Sequence, residues 1–426
     1  MSHPLTFSCA VPEAGSADLV VVGGGPSGFA AALTARRQGL SVILLERSAQ
    51  LGGAGTLAGV SVWMPIGVIT GIYQEVTSGL GMRDWRGRDF AETGKFSPHF
   101  DPAVVRHHLD HQLVTAGVEV LFHCTTVGVT VVDGRVEAVI ASTPEGLRAF
   151  RGRAFVDATG DASVCRAAGV PCVSGRSEDG LTQPMTLMFQ MQDTGRPQRM
   201  QLPPSVPRYD RVEDLPQGRL LHWLDAEHGT LLVNMTRVRG NGAMLRERSA
   251  AEREGLRQAL GVAEYLQRTS HPTFVVSSIA AEIGVRETWQ IIAKYRMEDA
   301  DVVEGRRQPD AVCQSNYGID IHNPSGAAGT HQPQELAPGQ RPPLYDIPWR
   351  SLVPDSGPAN LCVAGRCLGA SHVAMSAARV QPACMGMGQG AGTAIAIALE
   401  HGLPLADVPS GWLRQRLEGQ GVRFVV

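Results

Sequence analysis

Gly23, Gly25 and Gly28 stand in the spacing G-x-G-x-x-G within GGGPSG, and each has a separate physical task. The first permits a tight turn, the second lets a pyrophosphate approach the backbone, and the third lets a helix pack closely on a strand. The run DLVVV at 18–22 is short, apolar and β-branched, as a strand buried on both faces requires. Pro26 and Ser27 open a helical stretch that continues from Phe29 to Gln38 and ends at Gly39. Proline in a first turn removes no donor the helix would use. The helix N-terminus offers free N–H groups and a positive dipole end to phosphates. A second apolar strand at 41–45 leads into Glu46 and Arg47, both assigned to the cofactor. Glu46 lies 18 residues beyond Gly28, where a carboxylate can accept both hydroxyls of an adenosine ribose. An acid here disfavours a 2′-phosphate, which favours FAD or NAD over NADP.

Three further segments choose between them. LGGAGT follows at 51–56, VDATGD lies at 156–161 and runs on to AGVP at 168–171, and NLCVAGRC occupies 360–367 ahead of a glycine-rich stretch. With these segments the chain resembles the FAD-dependent oxidoreductases of the fumarate reductase and glutathione reductase superfamily. LYDIPWRS at 344–351 is similar to a segment that precedes that family's last FAD motif. The resemblance covers roughly 17–60, 100–175, 280–315 and 344–400, and it implies FAD as the cofactor. It also implies roles. Gly53, Ala54 and Thr56 would run beside the isoalloxazine. Ala158, Gly160 and Asp161 would return backbone to the adenosine and pyrophosphate, Gly365 and Arg366 would close over the pyrophosphate and ribityl chain, and backbone near Val127 would meet the adenine. A helix from about Pro382 is kept thin by Gly386, Gly388, Gly390 and Gly392. Its dipole would face the flavin O2/N1 edge, unless the glycines serve only close helix packing.

A flavin accepts a hydride at N5, so the protein must bind a substrate, exclude water and handle a proton. Two neighbourhoods offer the groups. His372 and Arg379 lie in SHVAMSAARVQP, and Arg286 and Glu287 lie in GVRET; both segments match motif positions of the resembled family. Histidine suits proton transfer, and guanidinium forks orient carboxylates. The expectation is therefore that His372 transfers a proton and that Arg379 and Arg286 orient the substrate, with flavin positioning as the alternative for His372 and a plain ion pair as the alternative for Arg286. Trp289 and Gln290 replace two arginines of the family pattern, which loosens any transfer of substrate from better-known relatives.

The elements that must position these groups read as α/β. The expected architecture is a Rossmann-like FAD-binding domain, a parallel sheet plus β-meander, with an inserted α+β substrate domain. A helix opens at Asp101-Pro102 and runs to about Gly117, and Asp133-Gly134 is a hairpin signal between apolar runs. Residues 175–344 are rich in Pro, Arg and Gln, with a charged helix at 246–267. The boundaries drawn are 1–174 and 345–426 for the FAD domain and 175–344 for the substrate domain.

The 426 residues are ample for a buried core, and 38 basic against 41 acidic side chains imply no nucleic-acid face. The 49 glycines, without a collagen-like period, mark sharp turns and close approaches. No apolar run reaches a membrane span, and the first 17 residues lack the features of a secretory signal. Eight cysteines without a C-x-x-C pair indicate reduced, cytoplasmic usage. No second G-x-G-x-x-G unit supplies a nicotinamide domain. Cys362 and Cys367 span a cofactor-binding turn and read as structural thiols, which argues against a disulfide reductase. His107 and His111 share a helix face but read as solvated, so no metal is expected. The reading is an oxidoreductase acting on a small-molecule substrate, with a homodimer as the ordinary prior and the electron acceptor left open. A flavoprotein electron-transfer subunit and a flavin monooxygenase are its rivals.

Overall fold

A computed structural model describes residues 8–64, 66, 68–80, 100–226, 228–325, 330–331 and 342–425. Strand β1 (Glu13–Val22) buries its apolar end and passes through the glycine turn into helix α1 (Pro26–Arg37). Strand β2 (Val42–Leu45) is buried throughout. Helix α2 (Pro102–Ala116) starts at Asp101, whose carboxylate accepts a hydrogen bond from the Ala103 N–H at 2.7 Å, and stops at Gly117 with φ of 84°. Strands β3 (Glu119–Leu121), β4 (Thr125–Val132), β5 (Arg135–Thr143) and β6 (Gly146–Asp157) complete the first half. Asp133 and Gly134 take φ of 49° and 70°, the left-handed pair that a tight hairpin needs.

The main sheet runs β3-β2-β1-β6-β5-β4. The β3-β2-β1-β6 half is parallel, and β6-β5-β4 is the antiparallel meander. The twelve-residue β6 joins the two. Gly146–Arg151 pairs with β5, while Phe155–Asp157 pairs in parallel with the strand Leu361–Val363. This register has a functional consequence. Val22, Leu45, Asp157 and Val363 are the carboxyl ends of parallel strands, and the segments GGGPSG, Glu46, ATGD and AGRC leave from those ends. Motifs scattered over more than 340 positions therefore meet at one sheet edge, where ligands bind in open α/β folds.

A second, antiparallel sheet comprises β7 (Phe189–Asp193), β8 (His222–Asp225), β9 (Thr230–Val233) and β10 (Phe274–Ile279), in the order β10-β7-β9-β8. Helix α3 (Leu245–Thr269) covers it, burying Ala259, Val262 and Leu266 on Phe189, Met191, Leu231 and Val233. Residues 289–321 fall within the segment assigned from sequence to the substrate domain, yet Ile291, Val312 and Ile321 pack into the main core. Trp289–Ile291 pairs with Cys172–Ser174, and Ala311–Ser315 pairs with Tyr345–Pro348.

Helix α4 (His372–Ala378) leads into helix α5 (Gln381–His401), which is buried over most of its length. A Cβ at Gly388 would lie 2.1 Å from the Ser27 carbonyl oxygen, and one at Gly392 would lie 2.6 Å from that of Ala31. On another face, Gly386 and Gly390 approach Cys313 and Val312. The glycines thus thin α5 for packing against α1 and the strand at Ala311–Ser315. Among the described residues, no helix is long and apolar enough to cross a membrane.

Candidate active site

The cleft at the carboxyl edge of the main sheet is lined by Gly23, Gly25, Pro26, Ser27, Glu46, Arg47, Gly53, Ala54, Ala158, Gly160, Asp161 and Arg366, among others. Its glycines differ in their surroundings. A Cβ on Gly23 would lie 2.5 Å from the Ala158 carbonyl oxygen, and one on Gly28 would lie 1.8 Å from that of Gly23. At Gly25 a Cβ would meet only the Gly53 Cα, at 3.9 Å, so this backbone is open to the cleft. No side chain caps the first turn of α1. Its N-terminal donors therefore suit a pyrophosphate.

Glu46 is buried, with Oε2 accepting from the Gly24 N–H at 2.6 Å and Oε1 from the Ser48 N–H at 2.7 Å. Two backbone donors fix the carboxylate, and its remaining lone pairs suit a ribose diol. The residues present thus fit an adenine dinucleotide, by a cradle that a Cβ would fill and an oriented acid. Arg47 pairs with Glu282 across the cleft mouth, at 2.6 Å to Oε2. Asp161 accepts from Arg366 Nη2 at 2.6 Å and from the Thr288 hydroxyl at 2.8 Å. Burial would raise this carboxyl, but Arg366 and Arg248 outweigh it and hold it below the usual range.

Other positions assigned from sequence lie behind the lining. The Thr56 hydroxyl donates to the Leu51 carbonyl at 2.6 Å and locks its own loop. A Cβ on Gly365 would meet Ser27 Oγ at 2.8 Å, and Gly388 packs on the same residue's carbonyl. Val127 points to solvent, and Thr125 and Thr126 line the cleft beside it. Sequence reasoning missed Asp157. This buried carboxylate accepts from the Thr159 N–H and hydroxyl and from the Val164 and Cys165 N–H groups, fixing the ATGD turn, and burial raises its pKa. Its signal was the first acid of VDATGD.

The candidates for chemistry separate into two groups. Arg379 lines the cleft just ahead of α5, whose first residues Gln381 and Cys384 line it too. Arg379 Nη2 donates to the Asp320 carbonyl at 3.0 Å and lies 3.4 Å from Asp320 Oδ2. Arg286 follows the cleft residue Val285. Its Nη1 donates to the Pro184 carbonyl and the Thr186 hydroxyl, both at 2.7 Å, and burial and Arg379 bring its pKa down to about 9. Its neighbour Glu287 pairs elsewhere. Oε1 meets His372 Nδ1 at 2.9 Å, and Oε2 accepts from the Gln183 N–H at 3.0 Å. His372 is not among the cleft-lining residues; it borders a separate cavity with Arg176, Arg296 and Asp299. Arg237, Asp320 and His322 join the two arginines, and no motif pointed to them.

The thiols of Cys362 and Cys367 lie against the Phe155 and Asp157 carbonyls, and burial pushes both pKa values up. Among the described residues, no group of three His, Cys, Asp or Glu side chains is placed to hold a metal.

Fold and cleft together define a Rossmann-like flavoprotein oxidoreductase with FAD as its cofactor. The family model of the FAD dependent oxidoreductases matches residues 18–417, and the chain belongs to that family. Short stretches also match curated enzymes. The 3-oxosteroid 1-dehydrogenase of Mycolicibacterium smegmatis is 48% identical over 48 residues, which are 11% of this chain and 8% of that protein. The 3-oxosteroid 1-dehydrogenase of Mycobacterium tuberculosis is 39% identical over 67 residues, 16% of this chain and 11% of that one. The solved structure of the flavin-dependent brominase Bmp2 gives a TM-score of 0.49 at 13% identity, over 95% of this chain and 84% of that chain.

Proposed function

We propose that the enzyme oxidises or reduces a small organic substrate by two electrons, a hydride passing between a substrate carbon and N5 of the flavin. Bound FAD supplies the two-electron chemistry, and a separate acceptor or donor completes the cycle. The observation behind this reading is that Arg379 and the first turn of α5 line the same cleft as the dinucleotide turn. An orienting cation and a helix N-terminus at one site are what such a transfer calls for. Arg379 and Arg286 orient the substrate, and the α5 N-terminus favours negative charge developing beside it. His372 is proposed as a positioning residue rather than a proton donor, because its ring meets Glu287 and acts on the site through Gln183.

The test is anaerobic stopped-flow bleaching of the flavin-loaded protein by a panel of small organic substrates. A bleaching compound supports the reading. Bleaching only by a protein partner, or oxygen insertion with nicotinamide consumption, replaces it with an electron-transfer subunit or a monooxygenase. With a bleaching substrate in hand, Arg379→Met should lower the second-order rate of flavin reduction by about 10²-fold while flavin content is kept. His372→Ala should slow reduction without removing a limb of the pH profile, whereas loss of a limb would restore proton transfer to this residue.

A further inference from the structure

Three guanidiniums meet beside the cleft, and the hydrogen bonds around them leave one question open. Arg237 is buried, and its Nη1 donates to the Thr186 hydroxyl at 2.8 Å, Asn234 Oδ1 at 3.0 Å and the Thr236 carbonyl at 2.5 Å. Arg286 donates to the same Thr186 hydroxyl at 2.7 Å and reaches the same Asn234 Oδ1 at 3.4 Å. Two like charges therefore share two neutral acceptors. Arg379 stands close enough to weigh on Arg286. Asp320 is the one carboxylate among the described residues that acts on this group, and its ion pair is with Arg379 at 3.4 Å. His322 lies 3.5 Å from the other Asp320 oxygen, and burial together with Arg286 brings its pKa down to about 3, so it is neutral at neutral pH. Three cations against one anion leave about two positive charges in a buried place, an arrangement that isolated proteins avoid.

The unpartnered atoms say what fits. Arg237 Nε and Nη2 are both buried and have no acceptor among the described residues. They form one edge of one guanidinium, a fork of two parallel donors. Elsewhere in this protein the same edge takes a carboxylate each time: Arg176 grips Asp179, Arg211 grips Asp214 and Arg257 grips Glu254 through Nε and Nη2. Arg379 Nε, Gln183 Nε2 and His322 Nδ1 are likewise buried without a partner.

We infer that the substrate is a carboxylate-bearing compound, most simply a dicarboxylate, whose anionic group is gripped by the Nε/Nη2 edge of Arg237 with Arg286 and Arg379 supplying the remaining positive field. The inference rests on the proposed oxidoreductase reading and names its substrate class. A carboxylate fills the planar two-donor fork with its two oxygens, as the Arg176, Arg211 and Arg257 pairs show; a phosphate can meet the same fork bidentately, so it is the competing anion in the test.

The experiment uses the flavin-loaded protein and malonate, which carries two carboxylates. Acetate, inorganic phosphate and neutral malonamide serve as comparisons. Binding is read from the visible flavin spectrum and from the thermal midpoint. Malonate should shift both, and malonamide neither. Arg237→Gln should weaken malonate binding by about 10- to 100-fold with flavin content retained, since charged hydrogen bonds are lost. If that variant does not fold, Arg237→Lys keeps the charge and loses the fork, and it should also weaken malonate by about 10-fold. Malonate binding that is absent in the native protein, or equal in both variants, overturns the inference. Phosphate binding without malonate binding overturns the carboxylate assignment. The two proposals fail separately. Neutral substrates that bleach the flavin while no anion binds would leave the function and remove this site. Malonate binding with no bleaching compound would keep the site and remove the function.

Discussion

Glu46 and His322 mark the two extremes of what a single residue discloses. Glu46 was readable because its partners are local: the turn at Gly24 and the Ser48 N–H lie on segments whose pattern fixes where a carboxylate must sit. His322 carries no motif: in the sequence nothing in its spacing sets it apart from His222, His228 or His271. Its character comes from its near neighbour Asp320 and from Arg286 and Arg237, which arrive from distant parts of the chain. That environment makes a pH prediction. Burial and Arg286 hold the folded-state pKa at about 3, against an ordinary 6.5 in the unfolded chain. Above 6.5 both states leave the ring neutral, and it contributes no pH dependence. Between 6.5 and 3 only the unfolded chain takes up the proton, so stability falls as pH falls through that window. Replacing His322 with Gln should reduce the loss of thermal midpoint between pH 7 and pH 5. Equal losses in the native and variant proteins would show that this ring does not titrate as described.

Two glycines in different elements separate conformational cost from packing cost. Gly134 closes the β4–β5 hairpin at φ of 70°, and a Cβ there would meet nothing within 4 Å. Gly134→Ala should therefore cost about 1 kcal/mol, the strain of a left-handed alanine, and leave flavin content unchanged. Gly388 lies inside α5, and its φ is not in the left-handed region. The Cβ in Gly388→Ala would lie 2.1 Å from backbone, the Ser27 carbonyl of α1, so the two helices must separate. Overpacking of this kind costs about 1 to 3 kcal/mol, and it displaces the first turn of α1, where a pyrophosphate would bind. Denaturant midpoints and flavin content should fall together in this variant, whereas only the midpoint should fall at Gly134. Both elements were legible: the hairpin from Asp133-Gly134, and α5 from its glycine series. The series itself left open whether those glycines meet a cofactor or a helix, because a one-chain pattern does not show which neighbour occupies a face. The structure assigns Gly388 and Gly392 to α1.

At the scale of the whole molecule, the legible part is the part built from parallel strands. Each strand's carboxyl end delivers a motif to one edge, so a linear pattern becomes a site without further information. The second sheet has no such rule. Its strands pair antiparallel under α3, and Arg237 and Arg286, which lie beyond the ends of β9 and β10, are recognisable only after Thr186 and Asn234 have brought them together. The two parts are tied across the cleft mouth by charges. Arg47, just beyond β2, meets Glu282, just beyond β10, while Arg248 on α3 lies 3.6 Å from Asp161 and 3.7 Å from Glu282. These side chains are partly exposed, so the ties add little to stability, on the order of 0 to 1 kcal/mol. Their effect belongs to opening of the cleft. Glu282→Gln removes the carboxylate that Arg47 grips and one of the two that Arg248 faces, and FAD should then leave several-fold faster while the thermal midpoint of the flavin-loaded protein barely moves. Raising ionic strength from 0.1 to 1 M shortens the reach of the same pairs, so it should speed FAD release from the native protein and do so less in the variant. Release rates that match in both proteins at both salt concentrations would mean that the walls are held by packing alone, and the ion pairs would then be passengers on a cleft closed by its apolar contacts.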